Sequence, residues 1–386
     1  MQVRYFSWDQ LKMASDQKEY IVIFGAGDLG REVLSLLRAI NINVCAFTDN
    51  DRQKRALVID GLECVAPEDL SKESIVIVSV LNNTACKNVI HQLENMGITS
   101  ILNVQDIVDG IILAGGTEYD MLLKKADRLD LLLNYYLDVI KLGNTPDYPR
   151  KNIDFTNTRI AVYTGNFGNY DDIFEPEWTG SNVDFYYISD NKTDLNKLNK
   201  MKWINAKDVI PDAIKGNKER NRYIKMNPVR LFPDYRYTLY VDGTDQIVGD
   251  IRKLLYESVT GINCFNHPYR DCIYKEALAC IAYKKADYMQ IHRQLEEYRQ
   301  AGMPVHYGLA ELGVIGLDTH NKNGIKIIEE WQKEFQKYPY RDQISFAYIL
   351  WRNGISVNEL GIMGPDRREN DFLKVHQHCY EKKSLA

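Results

Sequence analysis

The chain has 386 residues, 48 Lys and Arg against 53 Asp and Glu, a net charge of −5, and 45% hydrophobic residues. At about 100–200 residues per domain, this length asks for two or three domains. The slight acidity excludes a general nucleic-acid binder, which carries a basic excess, while leaving room for a local basic site for a phosphorylated ligand. No run approaches the roughly 18–20 apolar residues of a membrane helix. Residues 1–9 lack the apolar stretch of a secretory signal, so a cytoplasmic protein is expected. The 7 cysteines are scattered with no C-x-x-C pair, which argues for reduced thiols rather than a zinc knuckle or redox dithiol.

In chain order, Ser7 and Gln10 have capping-box spacing and open a short helix over residues 6–14. Tyr20 to Phe24 is an apolar, β-branched strand that runs into Gly25. Residues 28–40 carry a helical stripe of Leu29, Val33, Leu36, Leu37 and Ile40. Strands follow at 44–47 and 75–80, then a helix at 84–96 and a short strand at 101–104. The alternation predicts a small, mainly parallel sheet of about four strands with helices on its faces, a Rossmann-like domain over residues 1–112.

From Glu118 to Leu142 no Pro or Gly interrupts the chain, and Leu122, Ala126, Leu129, Leu133, Tyr136 and Ile140 form a heptad-like stripe. Two readings stay open: a long helix packed on a neighbouring domain, or a coiled coil that makes a homodimer. Gly143 to Pro149 then breaks the helix, which places a helical connector over 113–150. A second α/β pattern has strands at 160–163, 184–188 and 237–241 and helices near 220–231, 270–301, 324–337 and 342–353. It is expected to fill residues 151–363, followed by a polar, partly mobile tail over 364–386.

Gly25-Ala26-Gly27-Asp28-Leu29-Gly30 fits G-x-G-x-x-G between a strand and a helix. Glycines there let the backbone approach phosphates, and the helix N-terminus offers unpaired N–H groups. Asp49, at the end of the next strand, is placed to bind a ribose hydroxyl. With Phe47-Thr48-Asp49-Asn50-Asp51, Asp60-Gly61 and Pro67-Glu68-Asp69-Leu70, this region resembles the N-terminal domain of bacterial sugar-nucleotide acetyltransferases and related polysaccharide-biosynthesis proteins. That resemblance implies a nucleotide-sugar site at Gly25, Gly27, Gly30 and Asp49. A structural or regulatory role, or an NAD site, are the alternatives.

The second half carries the chemistry. Asp242 directly follows the strand Leu239-Tyr240-Val241, where α/β sheets bind ligands, and Asp245 is three residues on. Two carboxylates with diphosphate oxygens make a hard oxygen shell suited to Mn²⁺ or Mg²⁺, although Asp-Gly is also a common turn. Arg222 and Lys225 lie on one helical face and are placed to meet a diphosphate. Downstream come His267-Pro268, Arg270, Tyr274 and Glu276, then Glu311, His320 and Arg341-Asp342-Gln343.

With Tyr240-Val241-Asp242-Gly243, these motifs make residues 159–355 resemble the glycosyltransferase-like domain of plant mucilage and Golgi proteins and bacterial polysaccharide loci. The resemblance implies a fold of class α/β: a small Rossmann-like parallel-sheet domain plus a GT-A-like nucleotide-sugar transferase domain. It implies a UDP-sugar-type donor, a glycan or lipid-linked glycan acceptor, and a surface-polysaccharide role in the cytoplasm or at the inner membrane face. Asp242, Asp245 and His320 would ligate the metal. Asp342, Glu311 and Gln343 are the catalytic candidates. Thr164, Asn166, Asp190, Arg222, Lys225, Asp242, His267 and Arg270 would bind the nucleotide-sugar. The rival functions are an NAD-dependent oxidoreductase or epimerase using Gly25 to Gly30, and a non-catalytic nucleotide-sugar scaffold.

Overall fold

The computed structural model describes residues 7–137 and 151–377. Its contacts divide the chain into two units: Met1–Ile140 with Tyr274–Glu296, and Lys141–Ile273 with Glu297–Ala386.

The first unit opens with α1 (Trp8–Asp16), started by the Ser7–Gln10 capping box. Then come β1 (Ile21–Phe24), α2 (Asp28–Ala39), β2 (Ala46–Thr48), β3 (Val58–Ile59), β4 (Leu62–Val65), β5 (Ile75–Val78), α3 (Asn83–Asn95) and β6 (Ser100–Asn103). The sheet order is β3-β4-β2-β1-β5-β6. All neighbours are parallel except the β3–β4 hairpin. β1 and β5 are buried at every residue, as strands covered on both faces must be, hence their unbroken apolar runs. The chain runs outward from β1 in one direction and from β5 in the other, the doubly wound arrangement whose crevice lies between those two strands. The β3–β4 hairpin adds to the four strands read from sequence; its short, half-exposed residues carry no periodic signal.

The stripe after Glu118 is not one helix. α4 (Val104–Ala114) is followed by α5 (Gly116–Lys125), a turn, and α6 (Asp130–Leu137). Leu122, Ala126, Leu129, Leu133 and Tyr136 are all buried, and Ile140 lies outside the described residues. The Leu131 and Leu132 amides donate to the Glu32 carboxylate at 3.3 and 2.9 Å. The first free N–H groups of α6 are thus capped by a side chain of α2 rather than by a preceding turn of helix. The expected connector, as far as it is described, belongs to the first unit.

The second unit contains β7 (Lys151–Asn152), β8 (Ile160–Asn166), β9 (Val183–Ser189), β10 (Lys202–Asn205), α7 (Ala206–Val209), α8 (Asn217–Met226), α9 (Pro228–Leu231), β11 (Tyr237–Val241), β12 (Asp245–Ile247), β13 (Tyr256–Glu257) and β14 (Ile262–Asn266). The helices α10 (Ile273–Ala282) and α11 (Tyr288–Gln300) come next, with residues 274–296 grouping in the first unit. β15 (Ala310–Asp318), α12 (Lys322–Lys337), α13 (Asp342–Arg352), β16 (Gly361–Ile362) and β17 (Leu373–Val375) complete the chain. The main sheet has the order β10-β9-β8-β11-β15-β14-β16. β10, β9, β8 and β11 run parallel, and β15 is antiparallel to both β11 and β14.

Strand alternation supplies two cores. Ile160, Val162, Leu239 and Val241 pack on one face with Phe185 and Val314. Ala161, Tyr163 and Tyr240 pack on the other with Tyr223 and Ile224 of α8. That second packing fixes α8 over the carboxyl ends of β8 and β11.

Two features depart from the sequence reading. The long central strand β15 was not anticipated, because Gly313 and Gly316 interrupt its apolar pattern. Both are steric necessities: an added Cβ would lie 2.7 Å from the Arg367 guanidinium at Gly313 and 2.4 Å from Leu255 at Gly316. The tail is ordered as far as it is described. β17 pairs antiparallel with β12, and Asp366, Arg367 and Leu373 are buried.

Candidate active site

The site gathers at the carboxyl ends of β8, β9 and β11. Asp242 leaves β11 with its amide donating to the Gly313 carbonyl at 2.8 Å. The Tyr240 hydroxyl donates to Asp242 Oδ1 at 2.6 Å, and Lys225 Nζ of α8 lies 3.7 Å from that oxygen. Asp242 keeps 32% side-chain exposure, whereas Lys225 has 2%. A Cβ at Gly243 would make ordinary contact with the Gly165 carbonyl and the Asp171 carboxylate, at 3.6 and 3.7 Å.

Asp342, at the first turn of α13, is buried. Lys225 Nζ donates to its Oδ2 at 3.0 Å, and Arg222 Nε lies 2.9 Å from the same oxygen. Burial disfavours its charge, but Arg222, Lys225 and Arg341 outweigh that and hold its carboxyl well below the usual carboxylate range. Its carbonyl accepts from Trp331 Nε1 at 3.0 Å. Gln343 braces the helix start, accepting from Arg341 Nη2 at 2.9 Å and donating to the Ala310 carbonyl at 3.3 Å. Lys218, also on α8, is pushed down by burial and by its neighbours Arg222 and Arg341.

Thr164 and Asn166 end β8. The Thr164 hydroxyl is buried without a hydrogen-bond partner. Asn166 shapes the following loop: its Nδ2 donates to the Asp171 carbonyl at 2.6 Å and its Oδ1 accepts from the Tyr170 amide at 3.0 Å. Asp190, after β9, accepts from the Gly168 amide at 3.1 Å and from Arg220 Nη1 at 3.0 Å. The spacing thus brings Thr164, Asn166, Asp190, Arg222, Lys225, Asp242, Asp342 and Gln343 to one sheet edge. Arg220, Asn221 and Tyr240 were missed. A basic cluster on one short helix, Lys218-Glu219-Arg220-Asn221-Arg222, was the signal available for the first two.

The metal triad does not assemble. β11 pairs antiparallel with β15, so Asp318 lies opposite Tyr237 and Val314 opposite Val241. His320, exposed just beyond Asp318, is therefore at the far end of β11 from Asp242, roughly 15 Å away at strand spacing. Asp245 is buried in a bridge to Arg367. Burial raises its carboxyl to about 7 although Arg367 pulls the other way. Among the described residues no group of three or more His, Cys, Asp or Glu side chains is placed to hold a metal ion.

Glu311 is likewise engaged. Arg367 Nε donates to its Oε1 at 3.1 Å, and Arg368 Nη2 lies 3.3 Å from that oxygen. Neither arginine figured in the sequence reading, since both fall in what read as a tail. His267 and Arg270 are buried and bound to each other: the Arg270 amide donates to His267 Nδ1 at 3.0 Å, and Nε2 faces Arg270 Nη2 at 3.1 Å. Both line a cavity of about 240 Å³ with Asn266, His306, Tyr307 and Asn358.

In the first unit the glycine motif closes on itself. Asp49 Oδ2 accepts from the Ala26 amide at 2.8 Å and from Lys54 Nζ at 2.9 Å, and Oδ1 accepts from the Asp51 amide at 2.9 Å. Burial disfavours its charge, but these donors hold the carboxyl below its usual value. A Cβ at Gly30 would lie 1.9 Å from the Gly25 carbonyl, while one at Gly27 would meet nothing within 4 Å. Gly25, Gly27, Asp49, Lys54 and Ser79 border a cavity of about 370 Å³.

The second unit is thus an α/β domain with acidic and basic side chains gathered over the ends of its parallel strands. Residues 148–378, more than half of the chain, match the model of the TOD1/MUCI70 glycosyltransferase-like domain, and the protein belongs to that family. Residues 17–101 match the C2185-like N-terminal domain. This chain is similar to the probable hexosyltransferase MUCI70 of Arabidopsis thaliana, 25% identical over 254 residues, 59% of this chain and 43% of that protein. The chain thus spans less than half the length of this curated relative. Among solved structures, an apo WbbM bifunctional glycosyltransferase aligns with a TM-score of 0.31 at 9% identity, covering 52% of this chain and 38% of that one. Apo mouse xyloside xylosyltransferase 1 aligns with a TM-score of 0.30 at 11% identity, covering 53% and 83%. No described helix is long and apolar enough to cross a membrane.

Proposed function

We propose that the second unit transfers a hexosyl group from a nucleotide-sugar donor to a glycan acceptor, in the building of a polysaccharide. The observation that carries this reading, beside family membership, is the placement of Asp242, Lys225, Arg222 and Asp342 at one sheet edge. The diphosphate of the donor gains charge as it leaves, and pre-placed cations stabilise that charge without reorganising. Arg222 and Lys225 fill that part, and Asp342 holds both in position. Asp342 is a positioning residue, because a deeply buried carboxylate already satisfied by two cations is a poor proton acceptor. Asp242 is the carboxylate left partly exposed, at 32% of its side chain, and it contacts the donor sugar or the acceptor hydroxyl. Thr164, Asn166 and Asp190 border the nucleoside, and the His267–Arg270 cavity lies beyond Glu311 on the same edge, since Asn266 pairs with Ala310.

The test is a mass-spectrometric screen of UDP-, GDP- and CMP-sugars for donor hydrolysis or transfer. One donor should be turned over, and Asp242→Asn should lower that turnover by about 10²–10⁴. Turnover unchanged in Asp242→Asn removes Asp242 from the site; no turnover or binding of any donor removes the transferase reading.

In the first unit we propose a nucleotide site at Gly25, Gly27 and the α2 N-terminus. The cavity there and the open space above Gly27 support it. Asp49, with both oxygens engaged, secures the loop.

A further inference from the structure

Asp245, expected to hold a divalent ion, and Glu311, a catalytic candidate, are held by cations of the chain itself. The Arg367 guanidinium sits between two buried carboxylates, bridging Asp245 through Nη1 and donating to Glu311 Oε1 through Nε at 3.1 Å. Arg368 adds a second cation at Glu311, 3.3 Å away. Asp245 Oδ1 and Glu311 Oε2 are buried with no hydrogen-bond partner, so two carboxylate lone-pair sites remain around the same guanidinium. The surroundings are shaped for it. Gly313 of β15 leaves the space that a Cβ, 2.7 Å from Arg367 Nη1, would close, and Asn370 Nδ2 clamps the Arg367 carbonyl at 2.7 Å. An ion bound at about 2.0–2.6 Å from the Asp245 oxygens would share that space with a fixed positive charge.

Resting on the transferase reading, we propose that the site at the carboxyl ends of β8 and β11 binds the donor diphosphate without a divalent ion, and that Arg367 takes the ion's place. Arg367 neutralises Asp245 and Glu311, which would otherwise repel the diphosphate. Arg222 and Lys225 supply the positive charge toward the phosphates. Arg367 is in this sense a positioning residue: it acts on the ligand through the carboxylates it holds.

Two measurements test this on the full chain. Titration calorimetry with UDP and with GDP, first in EDTA and then with Mn²⁺, should give the same Kd within about twofold for whichever nucleotide binds. A gain of about tenfold or more in Mn²⁺ that EDTA abolishes overturns the proposal and leaves the transferase reading standing. Binding of neither nucleotide in either buffer overturns this proposal, and the donor screen then decides the transferase reading separately. The second measurement follows the free-ion electron-spin signal of Mn²⁺. The wild-type chain should leave the signal intact, and Arg367→Met, which bares the acidic pair, should diminish it. Loss of the signal with the wild type sinks the proposal whether or not the variant folds.

Discussion

The Asp342 carboxylate is the most constrained charge of the site. Two cations satisfy it in the folded state, and removing its charge strands Lys225, which has 2% exposure. Breaking a buried pair by removing one partner costs about 3–5 kcal/mol, so Asp342→Asn should lose stability of that order in urea unfolding near neutral pH. Its carboxyl is depressed on folding. The stability it contributes is therefore complete above the unfolded-state value of about 4. That contribution drains away as the pH falls from there toward the folded value. The gap between wild type and Asp342→Asn should narrow over that acidic range and stay constant above it. A gap that widened in acid would mean the carboxylate is not the stabilising form.

At the element scale, the glycines of the first motif differ in what they do. Gly30→Ala places a Cβ against the Gly25 backbone, where neither group is a flexible side-chain end. Overpacking of this kind costs about 1–3 kcal/mol, and thermal unfolding should show a lowered Tm. Gly27→Ala meets open space and should leave Tm near the wild-type value while weakening any nucleotide that stabilises the chain. A Gly27→Ala variant that unfolds early would make the motif purely structural. Elements also show where the sequence was readable. β1, β5, β8 and β11 announce themselves as β-branched or aromatic runs, and α2 and α12 as amphipathic stretches. β15 hides because Gly313 and Gly316 answer to Arg367 and Leu255, residues far away along the chain. Among the described residues the heptad stripe gave the right buried positions and the wrong helix, because periodicity survives a turn that Glu32 caps.

On the scale of the whole molecule, the first unit is not contiguous. The Tyr119 hydroxyl donates to the Tyr274 carbonyl at 2.9 Å, Lys275 pairs with Asp109 at 2.9 Å, and Tyr288 donates to Asp120 at 2.6 Å. All three join residues 274–296 to the N-terminal part. A chain beginning at residue 151 therefore carries α10 and α11 without those partners. It should unfold at a lower temperature than the full chain and show proteolytic cleavage within 274–296. Equal protection of that segment in both chains would mean that it belongs with the C-terminal part, as a boundary near residue 150 predicts.

The sequence by itself determined the α/β class and the transferase family, and it named candidates that lie together at the carboxyl ends of β8, β9 and β11. Those properties are local: strand and helix periods, a glycine turn, and a carboxylate at a strand end. Only the tertiary structure decided which charges meet. It set Arg367 between Asp245 and Glu311, put His320 at the wrong end of β11, and packed Asp342 on Lys225 across 117 residues of chain. An ion pair is fixed by distance in space, and one sequence records spacing along the chain alone.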